Sequence, residues 1–229
     1  MRRSFCVIAL LLCCCGPAVP AEPTTNYTPR EIEGWTVVVN NALLDGHKEL
    51  GDAALKLLGV KLYDVTRVVP ASALARLRTI KIWIEYNDPK FPCACYHPDA
   101  GWLRANGVNV DKAGAVEIAN ADTFLKWSHE QPSMVLHELA HGYHHRIGYD
   151  NADIKAAFRQ AVEGKKYESV MHYDGRIVRH YGLDNDQEFF AEASEAYFGT
   201  NDFYPFVRPE LKAFDPATYA AVRKVWGVE

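Results

Sequence analysis

Two histidines one helical turn apart are the residues of this chain best suited to chemistry. His137 and His141 begin and end the sequence His-Glu-Leu-Ala-His. On a helix, positions i and i+4 lie on the same face, so both imidazoles can bind one Zn²⁺. Glu138 lies about 100° around the helix from His137, where it can polarise a water beside the metal. The alternative is a surface helix that carries these residue types by chance. The apolar flanks of the motif instead favour a largely buried helix, in which two histidines need a partner such as a metal ion.

A third metal ligand is expected because a catalytic Zn²⁺ usually has three protein ligands and one open position. Glu188 and Glu192 lie four residues apart on a predicted helix that starts at Asn185. We expect Glu188 to bind the metal and Glu192 to accept a hydrogen bond from the second nitrogen of a ligand histidine. The alternative is an ordinary amphipathic helix whose acidic face meets solvent.

The remaining cysteines and histidines have plainer interpretations. Cys93, Cys95 and His97 form a Cys-x-Cys-x-His pattern that resembles part of a second metal site, but no fourth ligand is evident nearby. We therefore interpret the two cysteines as thiols, or a strained bridge, that shape a loop. His144 is expected to be exposed or packed, and His180 to be a solvated strand residue that could line a cleft.

The first 21 residues have the features of a secretory signal peptide. Arg2 and Arg3 precede an apolar run over Phe5–Cys15, and Val19-Pro-Ala21 suits a cleavage site. The run is too short to span a bilayer. We predict a secreted or periplasmic protein, with lipoprotein anchoring through Cys13–Cys15 as the lesser alternative.

Composition excludes some functional classes. Removing Arg2 and Arg3 with the signal changes the formal net charge from −4 to −6. A mildly acidic mature chain gives no support for binding nucleic acid or an anionic membrane, and no later stretch is a transmembrane candidate. The hydrophobic fraction of 48% suits one core. Oligomeric state and cleavage specificity do not follow from the sequence.

Hydrophobic periodicity predicts an α+β fold with a small mixed sheet packed on an active-site helix and a mostly helical C-terminal part. We expect a flexible lead at residues 22–30, a single domain at 31–229, and a long irregular segment at 88–112. The predicted strands are Trp35–Asn40, a half-exposed Thr79–Tyr86, and Ala115–Asn120. A hairpin is predicted at Asp174-Gly175. The predicted helices are His47–Val69, interrupted at Gly59, then Ser72–Leu77, Pro132–Arg146, Asn151–Glu163, Asn185–Phe198 and Pro216–Trp226.

The two motifs together resemble the gluzincin branch of the zincin metallopeptidases, and within it the anthrax lethal factor-like catalytic domain. That domain carries Tyr-Gly-x-x-Asn-x-x-Glu-Phe-Phe-Ala-Glu, matched here by residues 181–192. The resemblance implies a zincin-like fold, transition-state stabilisation by Tyr181, metal ligation by Glu188 and a supporting role for Glu192. It also implies that an edge strand at Val116–Ala119 pairs with the substrate backbone. It covers residues 134–145 and 181–192 closely.

These observations predict a secreted zinc-dependent metallopeptidase that acts on peptides or proteins. In this mechanism Glu138 is the general base for a zinc-activated water. Two alternatives remain open: a non-catalytic metal- or peptide-binding module on a peptidase scaffold, and a metal-dependent cell-wall amide hydrolase.

Overall fold

A five-stranded mixed sheet forms the first half of the fold. The computed structural model describes residues 21–228. Of the predicted signal peptide, residues 1–20 lie outside the described residues. The strand order is β1-β2-β3-β5-β4, with β2, β3 and β5 parallel and β1 and β4 antiparallel to their neighbours. The strands are β1 (Tyr27–Ile32), β2 (Trp35–Asn40), β3 (Ile82–Ile84), β4 (Ala94–His97) and β5 (Ala115–Ile118).

Ten helices lie within the described residues, and the second half of the chain is mostly helical, so the predicted α+β class with a small mixed sheet is confirmed. They are α1 (Asn41–Leu44), α2 (Lys48–Val68), α3 (Ala71–Leu77), α4 (Ala100–Ala105), α5 (Ala121–Trp127), α6 (Met134–Ile147), α7 (Ala152–Gly164), α8 (Asp186–Phe198), α9 (Arg208–Phe214) and α10 (Pro216–Val225). None of the helices between residues 21 and 228 has the length and apolar character needed to cross a membrane.

Three local predictions were wrong for tertiary reasons. Part of the expected flexible lead, residues 22–30, belongs to β1, whose polar, mostly exposed sequence is ordered by pairing with β2. The expected half-exposed strand at Thr79–Tyr86 is the short β3, which is buried because it lies between two parallel neighbours. Helix α2 continues through Gly59. One glycine costs a helix only about 1 kcal/mol, and the buried face of this 21-residue helix outweighs that cost.

The expected irregular segment, residues 88–112, also contains regular structure. It includes strand β4 and helix α4, whose first turn is capped by the Asp99 side chain. Four residues of β4 are too few to show an alternating pattern in the sequence, and their hydrogen-bond partner β5 is some twenty residues away. Pairing with β5 is therefore what orders this segment.

A short hairpin stands apart from the main sheet. Strands β6 (Val170–Met171) and β7 (Ile177–Val178) are antiparallel, as predicted from Asp174-Gly175. Gly175 has φ 84°, the left-handed conformation that a tight turn requires and that glycine adopts without strain.

The main core holds α6 against α8. The indole of Trp226 stacks on Tyr143 of α6 with ring centroids 4.2 Å apart, and its Nε1 donates a 2.9 Å hydrogen bond to Ser194 Oγ of α8. Trp226 is fully buried, and Phe190 of α8 stacks on its indole ring. These contacts set the relative position of the two helices that carry the predicted metal ligands.

Candidate metal centre

Helix α6 presents the two histidines of the motif. Most of the helix is buried, including Leu136, Leu139 and Ala140, and it packs on β4, β5 and α8. The helix ends at Gly148, whose φ of 95° suits a glycine C-cap. Gly142, next to His141, lets α6 pack closely against the side chain of Ile80, which lies just before β3. A Cβ at position 142 would be only 2.6 Å from that side chain.

Helix α8 presents three acids along one side. Its N-cap is Asn185, whose side chain accepts hydrogen bonds from the backbone N–H groups of Gln187 and Glu188. Glu188, Glu192 and Glu195 follow at i, i+4 and i+7, a spacing that keeps them on one helical face. The other residues from 189 to 198 are buried too, so α8 is a central helix rather than a surface one.

Three side-chain atoms from these helices converge on one point. His137 Nε2 lies 3.0 Å from His141 Nε2 and 3.1 Å from Glu188 Oε2, and His141 Nε2 lies 3.3 Å from Glu188 Oε2. A tetrahedral site with bonds of about 2.0–2.1 Å separates its ligand atoms by roughly 3.3 Å. The triangle therefore has the dimensions of one face of such a site. The close contact of two imidazole nitrogens also calls for a proton or a cation between them, so the donor set fits a metal ion.

Glu195 orients His137, a role that we assigned to Glu192. Glu195 Oε1 lies 2.7 Å from His137 Nδ1, whereas Glu192 Oε1 lies 3.6 Å from it, beyond hydrogen-bond distance. With its proton on Nδ1, His137 leaves Nε2 available as a ligand. The prediction for Glu192 was wrong because the rotation of α8 decides which acid meets the ring. The i+7 spacing of Glu195 from Glu188 marks it as a residue of the same helix face, but the spacing alone does not choose between Glu192 and Glu195.

The buried acids make this region favourable for positive charge. Burial alone would lower the pKa of His137, but hydrogen bonds to Glu188 and Glu195 hold it well above its usual value. Burial alone would raise the pKa of Glu188, but His141 and His137 lower it below its usual range. Burial raises the pKa of Glu195 to about 7. A cation at the three converging atoms would meet a net negative environment.

Glu192 lies deeper than the ligand triangle. Burial is the main cause that raises its pKa well above the usual value, and the nearby carboxylates of Asp202 and Glu195 add to it. Its Oε2 atom is buried without a hydrogen-bond partner among the described residues. The raised pKa favours the neutral form of Glu192 and so reduces its charge near His137.

Glu138 and Tyr181 line the same cleft as His137. The cleft has a cavity volume of about 250 Å³, and its walls come from the segment entering β4 and from the β6–β7 turn as well as from α6 and α8. The Tyr181 and His137 rings lie 6.5 Å apart between centroids. The predicted catalytic residues are therefore in one cavity with a predicted metal ligand.

His180 is buried and positions Tyr181, although we predicted a solvated strand residue. Its Nδ1 accepts a 2.9 Å hydrogen bond from the Gly182 N–H and so caps the short 3-10 turn that carries Tyr181. Burial, with a smaller contribution from Arg179, lowers the pKa of His180 to about 3. A neutral ring is what an accepting Nδ1 requires.

The predicted edge strand at Val116–Ala119 is not at an edge. These residues form or follow β5, which is bonded to β3 on one side and β4 on the other. The edge strand on this side is β4, and Ala94 of β4 lines the cleft.

No protein-family model, curated protein or solved structure matches the chain.

Proposed function

We propose that the protein is an exported zinc-dependent metallopeptidase whose metal ligands are His137, His141 and Glu188. The observation that carries this proposal is the convergence of their three ligand atoms at separations of 3.0–3.3 Å. Two nitrogens and one carboxylate oxygen are a donor set typical of catalytic zinc, which keeps its fourth position open. The zincin-like fold, with α6 as the active-site helix, belongs to the same proposal.

The roles of the remaining residues follow from their places in the cleft. A bound Zn²⁺ would polarise the substrate carbonyl and lower the pKa of a water beside it. Glu138, adjacent in sequence to the first ligand, takes the proton of the attacking water and later delivers it to the leaving amine. The Tyr181 hydroxyl donates a hydrogen bond to the oxyanion as charge develops there.

The substrate path runs along β4 in this proposal. The outer side of β4 has no strand beside it among the described residues. Cys93 O and His97 O bond to the β5 side, so the alternation of an antiparallel ladder directs the backbone groups of Ala94 and Tyr96 outward. An extended peptide can add there by main-chain hydrogen bonding, next to the cleft that Ala94 lines.

The test separates metal binding from catalysis. Purified mature protein is incubated with a mixed peptide library, with and without chelator, beside the Glu138→Gln variant. We expect hydrolysis by the wild type, its loss with chelator, and a loss of at least about a hundredfold in the variant. Metal analysis should show that Glu138→Gln retains its zinc, because Glu138 is not a ligand.

Three outcomes would contradict the proposal. Wild-type hydrolysis that survives chelation removes the metal from the reaction. Full activity of Glu138→Gln removes the general base. Metal binding without turnover of any peptide would favour a binding module instead. A Glu188→Gln variant is the matched comparison, because it should lose zinc together with activity.

A further inference from the structure

A second cluster of metal-binding side chains lies on the face of the sheet opposite α6. It contains Cys95 and His97 of β4 and Glu117 of β5, each of which offers one ligand atom, all within 4.8 Å of one another. Cys95 pairs directly with Glu117 in the β4–β5 ladder, and His97 follows two residues after Cys95. Because side chains alternate along a strand, all three project from the same face. Glu117 lies 20 residues after His97 in the chain, so the Cys-x-Cys-x-His pattern does not indicate it.

The distances suit a mixed sulfur, nitrogen and oxygen site. Cys95 Sγ lies 3.5 Å from His97 Nε2. Zinc bonds of about 2.3 Å to sulfur and about 2.0 Å to nitrogen place such a pair roughly 3.5 Å apart in a tetrahedral site. Glu117 Oε2 lies 2.5 Å from the same Nε2, so its carboxylate must move by about 0.8 Å to reach its tetrahedral position. Metal binding would then replace the His97–Glu117 hydrogen bond.

The charges around the cluster leave room for a cation. Glu117 and Glu85 are both ion-paired with the buried Lys112, with Glu85 Oε1 2.7 Å from its ammonium. Glu85 also accepts hydrogen bonds from Tyr27 and from Asn40. Two carboxylates face one ammonium in a nearly water-free setting, and the His97 ring meets the remaining carboxylate charge through its contact with Glu117. A cation bound between His97 and Glu117 would compensate the same charge.

Burial and access are both suitable for a bound ion. His97 is 4% exposed and Glu117 fully buried, whereas Cys95 is half-buried and lies on the solvent side of the cluster. The rings of Phe91 and Trp102 lie over His97 with centroids 5.2 Å and 6.5 Å from it. An ion could enter beside Cys95, take three protein ligands and keep a water as the fourth.

We propose that Cys95, His97 and Glu117 bind a second divalent transition-metal ion, with Zn²⁺ the ion that this donor set suits best. The site is independent of the proposed peptidase centre, which contains no sulfur ligand. It fixes the edge strand β4 from the face opposite α6.

The test uses Co²⁺ as a spectroscopic substitute for Zn²⁺. The purified mature protein is stripped with chelator, dialysed and titrated with Co²⁺ alone, while near-ultraviolet absorbance and bound metal per chain are measured. A thiolate-to-cobalt charge-transfer band should appear, with two metal ions per chain. Cys95→Ser should lose the band and one ion. Cys93→Ser, the matched control two residues upstream, should keep both.

The outcomes distinguish this site from the peptidase centre. A double His137→Ala, His141→Ala variant should lose one ion and keep the band. A band that persists in Cys95→Ser, or wild-type protein that binds one ion without a band, overturns the proposal while leaving the peptidase centre intact. If Cys95→Ser does not fold, Cys93→Ser decides, because Cys93 lines the peptidase cleft and a band that survives its replacement comes from Cys95, whereas a band lost with Cys93 overturns the proposal.

Discussion

Replacing Glu195 by Gln should weaken zinc binding, while the same change at Glu192 should have little effect. Glu195 Oε1 lies 2.7 Å from His137 Nδ1, and its side chain is 4% exposed, so water cannot take over the lost interaction. An amide still accepts a hydrogen bond but carries no charge. Loss of such a carboxylate partner of a ligand histidine typically costs 10–100-fold in metal affinity, or about 1.4–2.7 kcal/mol.

Glu192→Gln is the matched control because it has the same chemistry on the same helix face. Glu192 Oε1 is 3.6 Å from His137 Nδ1, and burial together with Asp202 and Glu195 raises its pKa well above the usual value. A protonated carboxyl and an amide have similar shape and charge. We expect a change of less than about threefold in zinc affinity, or roughly 0.6 kcal/mol.

The assay is competition for Zn²⁺ against a chelator of known affinity at a fixed pH of about 8, above the pKa of about 7 of Glu195, with the free energy of unfolding measured for each variant. An equal loss in the two variants would mean that general acidity near His137, rather than one hydrogen bond, supports the metal. A larger loss for Glu192→Gln would refute the assignment of Glu195 and restore the role that we first gave to Glu192.

Three further predictions concern catalysis, pH and packing. Tyr181→Phe should lower kcat about a hundredfold with KM nearly unchanged in steady-state kinetics, since its hydroxyl acts on the transition state; an effect confined to KM would contradict this. Burial lowers the pKa of His144 to about 4, and neither ring nitrogen has a hydrogen-bond partner among the described residues. The His144 ring therefore takes up a proton near pH 6.5 in the unfolded chain but only near pH 4 in the folded protein. The free energy of unfolding should fall by about 2 kcal/mol between pH 7 and pH 4.5 as a result. Urea unfolding of the His144→Phe variant should lack this component. Gly51→Ala should destabilise the protein by about 1–3 kcal/mol in thermal unfolding, because the added Cβ would lie 2.2 Å from the Leu43 carbonyl oxygen. Gly59→Ala is the control and should be neutral or stabilising, because the nearest contact of its added Cβ would be 3.6 Å away.

The local parts of the site could be predicted from the sequence. His137 and His141 share a face because the helical repeat is an intrinsic property of the backbone, and the apolar residues around them indicated burial. The start of α8 at Asn185 follows from capping chemistry within three residues. The hairpin at Gly175 likewise depends on the backbone freedom of one residue.

Assignments that depend on distant neighbours could not be made from the sequence. Strand β4 was missed and β5 was placed at an edge, because strand order is set by pairing between segments far apart in the chain. The choice of Glu195 over Glu192 depends on how α8 is rotated against α6.

The sequence by itself determined which side chains were available for metal chemistry and which of them share a turn of helix. The tertiary structure alone decided which of them meet. Glu188 reaches the histidine pair across 51 residues, and Glu117 reaches Cys95 and His97 across a strand pair. Ligand atoms must agree in position to a few tenths of an ångström, and only the packing of whole helices and strands determines positions to that degree.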